Sequence, residues 1–256
     1  AEIPYAFVTK EVACCFFSQG NEKAFSRKLL KAEKTGKPVS MESATDAQLS
    51  FVRQTDIMRG ENVLALLPGT DKSDEVVVIT AHYDHLGIRD SMICRGADDD
   101  GSGTTAVMEL AKVFSEAARE GRKPRRSILF MTFSGEEKGL LGSKYYVRHP
   151  VIPLENTIAD LNIDMIGRTD EKHDSMGVRE YVYIIGSDKL STELHEINEV
   201  NNNSYTNMRL DYTFNRPEDP NRYYYRSDHY NFAKHRIPVI FYFNGSHADY
   251  HKPTDT

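Results

Sequence analysis

The chain has 256 residues, 39% of them hydrophobic, with 38 acidic and 32 basic side chains and a net charge of −6. That length suits one large core with a modest appendage. The acidic balance argues against a phosphate-binding face, so no nucleic-acid partner is expected, and no apolar run reaches the roughly 18–20 residues of a membrane span.

In chain order, residues 1–60 differ from the rest and read as an N-terminal appendage. Segments 8–17 and 21–34 have helical character, Gly36-Lys-Pro38 breaks them, and 40–52 is polar with weak alternation. Cys14 and Cys15 lie in an apolar run and read as buried thiols, while Cys94 reads as a loop residue; three cysteines give no spaced metal set and no complete disulfide framework. The chain starts Ala-Glu-Ile-Pro, without Met or an apolar signal region, and stops at Thr254-Asp-Thr256 without a closing helix, as a trimmed piece of a longer protein would.

From Asn62 onward strands and helices alternate. The pattern predicts strands at 62–67, 76–81, 127–133, 157–164, 181–186 and 238–243, and helices at 102–120, 137–148, 188–202 and 228–235. This order implies an α/β fold, with a mainly parallel (mixed) central sheet flanked by helices on both faces. Residues 203–226 form a long polar stretch rich in Tyr, Asn and Pro, and loops of that length are usually functional or disordered.

Four strands end in reactive side chains. The run Glu75-Val-Val-Val-Ile-Thr-Ala81 leads into His82-Tyr-Asp-His85, and Ser127–Ser134 into Gly135-Glu-Glu137. The strand 157–163 ends at Asp164, and 237–243 leads to His247, Asp249 and His251. Ligands of open α/β sheets sit at the carboxyl ends of the strands, and ionised groups there are costly unless a cation or a reaction needs them. The loop Gly96-Ala-Asp-Asp-Asp-Gly-Ser-Gly103 adds three acids before a helix; capping explains one or two of them, and a divalent cation would suit three.

Imidazoles mixed with carboxylates favour zinc or a related transition ion, whereas an oxygen-only set would favour calcium or magnesium. There are enough candidates, His82, Glu137, Asp164 and His251 among them, for two ions sharing one bridging carboxylate. Such a site activates water against a carbonyl or phosphoryl group and leaves one acid free for proton transfer. The neighbours Glu136 and Glu137 can divide these tasks, since successive side chains at a strand end point apart.

The motifs His82-Tyr-Asp84, Gly96–Gly103, Gly135-Glu-Glu137, Asn162-Ile-Asp-Met-Ile-Gly167, Ser227-Asp-His229 and Tyr250-His251, in this order, resemble the co-catalytic di-zinc peptidases of the bacterial leucyl-aminopeptidase type. That group also includes glutamate carboxypeptidase and Golgi-type glutaminyl cyclase. The resemblance covers about residue 62 to the end and implies a zinc-peptidase-like catalytic domain at 61–256, two Zn2+ per chain and peptide substrates. It implies that His82 and Asp164 hold one zinc, Glu137 and His251 the other, and that Asp99 bridges them. Glu136 would be the general acid/base, Asp84 would orient His82, and Tyr250 would stabilise the oxyanion. Tyr225, Arg226 and Asp228, at the end of the long loop and in the following motif, are the expected substrate contacts. The remaining histidines, His85, His149, His173, His195 and His235, read as solvated, with His229 and His247 nearer the site.

The expected activity is a metallo-aminopeptidase. A carboxypeptidase would need a cationic pocket, for which Arg216, Arg222 and Arg226 are the nearby candidates. A glutaminyl cyclase fits less well, since such members generally use a single zinc. A non-catalytic, receptor-like relative would have lost ligands, and a metallophosphatase or nuclease would show a basic groove. By the same resemblance an extracytoplasmic location is expected, and residues 1–60 resemble the tail of a protease-associated insert, a small β-rich module.

Overall fold

A computed structural model describes residues 8–17, 22–39 and 57–256. The chain divides into two compact units, Ala1–Ile57 and Met58–Thr256. In the first, the described residues form helices α1 (Lys10–Phe17) and α2 (Glu22–Thr35), with Phe25 buried. The expected β-rich remnant has no strand among the described residues of this unit, and the polar stretch at 40–52 lies outside them. Cys15 is exposed and Cys14 half-buried, which corrects the reading of both as buried thiols; an eight-residue helix in so small a unit can bury only one face.

The second unit holds a seven-stranded sheet. Its strands are β1 (Val63–Leu67), β2 (Lys72–His82), β5 (Arg126–Phe133), β6 (Thr157–Ile163), β7 (Tyr181–Ile185), β8 (Arg209–Asp211) and β9 (Val239–Phe243); β3 (Gly87–Arg89) and β4 (Met92–Cys94) form a separate hairpin. The order across the sheet is β1-β5-β2-β6-β9-β7-β8. The central strands β5, β2, β6 and β9 are mutually parallel, whereas β1 runs antiparallel to β5 and β7 antiparallel to β9. The sheet is therefore mixed and mostly parallel, and its four parallel neighbours present their carboxyl ends along one edge.

Residues of period two divide the core between the two faces. Helix α3 (Gly101–Arg119) packs Val107, Leu110 and Phe114 against Ile79, Ala81, Ile128 and Phe130. On the opposite face, Tyr146 and Val147 of α4 (Leu141–Arg148) and Phe232 of α7 (His229–Lys234) cover Val76, Val78, Leu129 and Met131. Two further helices, α5 (Glu171–Ser175) and α6 (Thr192–Asn201), complete the unit. The hairpin β3–β4, the short helix α5 and the edge strand β8 are absent from the sequence reading, because strands of three residues and a helix of little more than one turn carry too little periodicity to register. β8 and two short 3₁₀ turns, Thr213–Asn215 and Tyr223–Tyr225, also give the supposed loop at 203–226 a definite structure, with Phe214 packed among Tyr183, Tyr223 and Phe243.

The acidic loop before α3 is pinned from two directions. Asp100 caps α3 by accepting Gly103 N, and it also accepts His82 N and Met165 N, joining the ends of β2 and β6. Asp255, fully buried, accepts Asp98 N at 3.0 Å and Asp99 N at 3.2 Å through its two carboxylate oxygens. Asp255→Ala leaves both buried amides without an acceptor, and chemical denaturation should show a loss of roughly 2–4 kcal/mol; unchanged stability would mean that the loop holds its shape without this anchor.

Candidate metal centre

Each of the four parallel strands delivers a side chain to the same place. His82 is the last residue of β2, Asp164 follows β6, Glu136 and Glu137 follow β5 after a turn at Gly135 (φ 76°), and His251 lies in the segment after β9. Asp99 enters from the loop before α3. His82 Nε2 stands 3.3 Å from Asp99 Oδ1, 3.7 Å from Asp164 Oδ2 and 3.9 Å from Glu136 Oε2. His251 Nε2 stands 3.0 Å from Asp99 Oδ2 and 3.3 Å from Glu137 Oε1. Asp99 thus has one oxygen toward each imidazole. His251 itself adopts a left-handed backbone conformation (φ 59°), as does Met165 beside Asp164 (φ 56°), strain of the kind that concentrates at functional sites.

The chemistry of this set fits divalent cations. Asp99, Glu136, Glu137 and Asp164 form no ion pair with Lys or Arg among the described residues; the basic groups beside them are imidazoles. Asp99 Oδ2 and Glu137 Oε1 are buried and face only imidazole nitrogens, a crowding of acids that a metal ion would relieve. Two groups of ligand atoms lie within 4.8 Å of one another, His82–Glu136–Asp164 and His85–Asp99–Glu137.

The charge states follow from the crowding. Burial pushes Asp99 and Glu137 up, but hydrogen bonds with His251 and with His82 or His85 outweigh it, leaving Asp99 well below the usual carboxylate range and Glu137 at about 2. Glu136 has no such partner, and burial lifts it to about 9. His251 rises to about 9 through its hydrogen bonds with Asp99 and Glu137. Glu136 and Glu137, though adjacent, sit on opposite sides of the carboxylate range, a separation of the kind that divides acid and ligand roles.

His85 was read as solvated, and the structure corrects this. Its ring is buried, with Nδ1 2.9 Å from Glu137 Oε1 and 3.8 Å from Asp99 Oδ2. The His-x-x-His spacing of His82 and His85 was the available signal, and the short irregular segment between β2 and β3 brings the second ring back to the cluster. His173 is also buried rather than solvated, stacked on Tyr181 and hydrogen-bonded to Asp170. Asp84 supports His82 differently from the expectation: its backbone carbonyl accepts His82 Nδ1–H at 2.9 Å, while its carboxylate accepts the Glu136 amide at 3.0 Å. The ring is held with Nε2 free toward the cluster. Ser227, fully buried, donates to Asp164 Oδ2 at 2.6 Å.

A cavity of about 40 Å3 opens beside the cluster, lined by Met165, Tyr223, Phe241 and Phe243 on its apolar side and by Arg226, Ser246 and Tyr250 on its polar side. Tyr250 stacks on His251, and its hydroxyl accepts from Arg226 Nη2 at 3.2 Å. Of the three expected substrate contacts, only Arg226 lines this cavity. Tyr225 packs instead against Tyr224 and Tyr230, and Tyr223, two residues earlier in the same 3₁₀ turn, takes the place at the wall. Asp228, the residue before α7, is fully buried against Ser143 and does not line this cavity.

Comparison with known proteins places this geometry. The model of peptidase family M28 matches residues 62–256. Aminopeptidase YwaD of Bacillus subtilis is 34% identical over 125 residues, 48% of this chain and 24% of that protein. A probable glutamate carboxypeptidase of Arabidopsis thaliana, LAMP1, is 33% identical over 117 residues, 45% of this chain and 16% of that protein. Among solved structures, the zinc aminopeptidase BSAP from Bacillus subtilis superposes with a TM-score of 0.58 at 26% identity, covering 76% of this chain and 44% of that one. The chain spans less than a quarter of the length of these curated relatives and less than half of that solved structure. With the family model covering three quarters of the sequence, including every strand of the sheet and every residue of the cluster, the chain belongs to peptidase family M28.

Proposed function

We propose that this chain carries the catalytic centre of a zinc-dependent exopeptidase acting as an aminopeptidase. The observation that carries the reading is the arrangement around Asp99, whose two oxygens face His82 and His251 at 3.3 and 3.0 Å while Glu136 stands by with a raised pKa. His82 and Asp164 would hold one zinc, Glu137 and His251 a second, and Asp99 would touch both; His85 is a further imidazole within reach of the second group. Bound zinc would polarise the scissile carbonyl and activate water for attack.

The chain's own groups supply the remaining steps. Glu136, with two cations beside it, would be an ionised carboxylate that takes the proton of the attacking water and returns it to the departing amine. Tyr250, whose oxygen accepts from Arg226, keeps its own O–H free to hydrogen-bond the carbonyl oxygen as charge develops there. Met165, Phe241 and Phe243 form the apolar wall beside the cluster, against which an apolar part of the substrate would lie.

A second reading rests on Arg226. Among the described residues its guanidinium has no carboxylate partner and meets only the Tyr250 hydroxyl and the face of Tyr223. A free substrate carboxylate could pair with it, as a carboxypeptidase would require. Aminoacyl-anilides and amino-terminally blocked peptides, run side by side on zinc-loaded protein, separate the two readings. The aminopeptidase reading expects hydrolysis of the first and none of the second, and the reverse pattern establishes a carboxypeptidase. Hydrolysis of neither would leave a non-catalytic relative and defeat the proposal.

The division of labour between the paired glutamates can be tested separately. Glu136→Gln should retain wild-type zinc content while kcat falls by about 10²–10⁴-fold, the range for losing a general acid/base. Near-normal turnover at full metal occupancy would assign the proton transfer elsewhere.

A further inference from the structure

Asp160, Asn162 and Asp164 occupy alternate positions of β6 and its carboxyl end, so they share one face of the strand. A row of polar side chains inside a sheet is costly unless each is paired. Thr80, opposite Asn162 on β2, and Ser227, just before α7, make the pairing. The contacts run from Asp160 Oδ1 to Thr80 Oγ at 2.9 Å, Thr80 Oγ to Asn162 Oδ1 at 2.8 Å, Asn162 Nδ2 to Ser227 Oγ at 2.9 Å, and Ser227 Oγ to Asp164 Oδ2 at 2.6 Å. Asp160, Thr80 and Asn162 are 0% exposed and Ser227 2%, so solvent has no part in this chain.

We infer that Asp160 is held as a neutral carboxylic acid and is a positioning residue, the blind end of a one-way hydrogen-bond chain that fixes Asp164 for its ion. The role assigned to Asp164 rests on the proposed metal centre; the state of Asp160 follows from counting hydrogens. Asp164 as a metal ligand is ionised, so the hydrogen in its contact with Ser227 comes from the serine. That hydroxyl has one hydrogen, and it must therefore accept from Asn162, which sets the amide with Nδ2 toward Ser227 and Oδ1 toward Thr80. Asn162 Oδ1 in turn claims the single hydrogen of Thr80. Only lone pairs of Thr80 then face Asp160, and the 2.9 Å contact is a hydrogen bond only when Asp160 itself carries a proton.

The surroundings agree with that count. Burial pushes the Asp160 carboxyl well above its ordinary value, and the charged neighbour acting on it is another acid, Asp228, which pushes the same way. An ionised Asp160 would be a buried charge opposite lone pairs. In the neutral form all four contacts are satisfied in one direction, the amide of Asn162 cannot flip, and Asp164 has one fixed rotamer. The chain adds no second negative charge near the ion. Partners of this kind behind a metal ligand typically matter 10–100-fold in affinity.

Two measurements test this. An infrared difference spectrum of wild type against Asp160→Asn, taken at pH 7 before and after treatment with a chelator, should lose a protonated-carboxyl C=O band; loss of a carboxylate band instead overturns the inference. Zinc affinity, read by chelator competition, should stay within about 3-fold in Asp160→Asn, whose amide can donate to Thr80, and weaken about 10–100-fold in Asp160→Leu, which keeps the branched shape, and in the isosteric Thr80→Val, both of which cut the chain. Wild-type affinity in both of those variants, or an Asp160→Asn as weak as they are, overturns it. Should Asp160→Leu fail to fold, the isosteric Thr80→Val carries the comparison. A wild type that binds no zinc defeats the proposed function and with it the positioning role, while the infrared band still decides the state of Asp160.

Discussion

Everything at this site depends on a buried carboxylate, Asp99, being held between two imidazoles. A buried acid of that kind is tolerated only where opposite charge meets both of its oxygens. His82, at the end of β2, and His251, in the segment after β9, stand at those oxygens. The backbone around Asp99 has little freedom of its own, since Asp255 accepts its amide and that of Asp98, while Asp100 ties the next turn to β2 and β6. The cluster is thus built into the edge of the sheet, with the helix cap and the metal-type loop formed from the same run of acids.

The parallel order of β5, β2, β6 and β9 explains why so many reactive residues converge. Adjacent parallel strands end along one line, and the connections out of them run over the same edge. Each strand needs to contribute only one or two polar residues after its last buried position, so the apolar packing of Val78, Leu129 and Met131 below is undisturbed. The exception is β6, whose inward face remains polar from Asp160 to Asp164. That face gives up hydrophobic burial for a fixed hydrogen-bond direction, a choice that makes sense where the last member of the row must point at a cation.

The sequence made the main sheet legible because its strands are β-branched runs of ordinary length, closed by turn residues or acids. The parallel arrangement followed from the alternation with helices. What escaped was of two kinds. Strands of three residues, such as β8 and the hairpin after His85, lack the length for a period to show. Contacts made across the fold were the second kind: His85 looked like a loop residue because the turn that returns it to Glu137 is a tertiary event, and Asp255 lies 156 residues from the amide it accepts. Tyr225 was preferred over Tyr223 because a run of three tyrosines does not reveal which ring faces inward; the 3₁₀ turn decides it. Asp228 was mistaken for a substrate contact because an acid in a motif looks reactive, yet here it is spent on Ser143 inside the core. Asp164 at the end of this strand was legible as reactive, whereas the role of Asp160 and Asn162 behind it depends on contacts to β2 and to Ser227 that only the fold brings about.

The central claim is that Asp99 sits between two cations held by imidazoles and acids from neighbouring strands. Anomalous diffraction at the zinc absorption edge, on crystals of the zinc-loaded protein, tests it most directly. The account predicts two peaks on either side of the Asp99 carboxylate, about 3.5–4 Å apart as in other two-metal sites, one beside His82 and Asp164 and the other beside Glu137 and His251. A single peak, or none at this cluster, would contradict it.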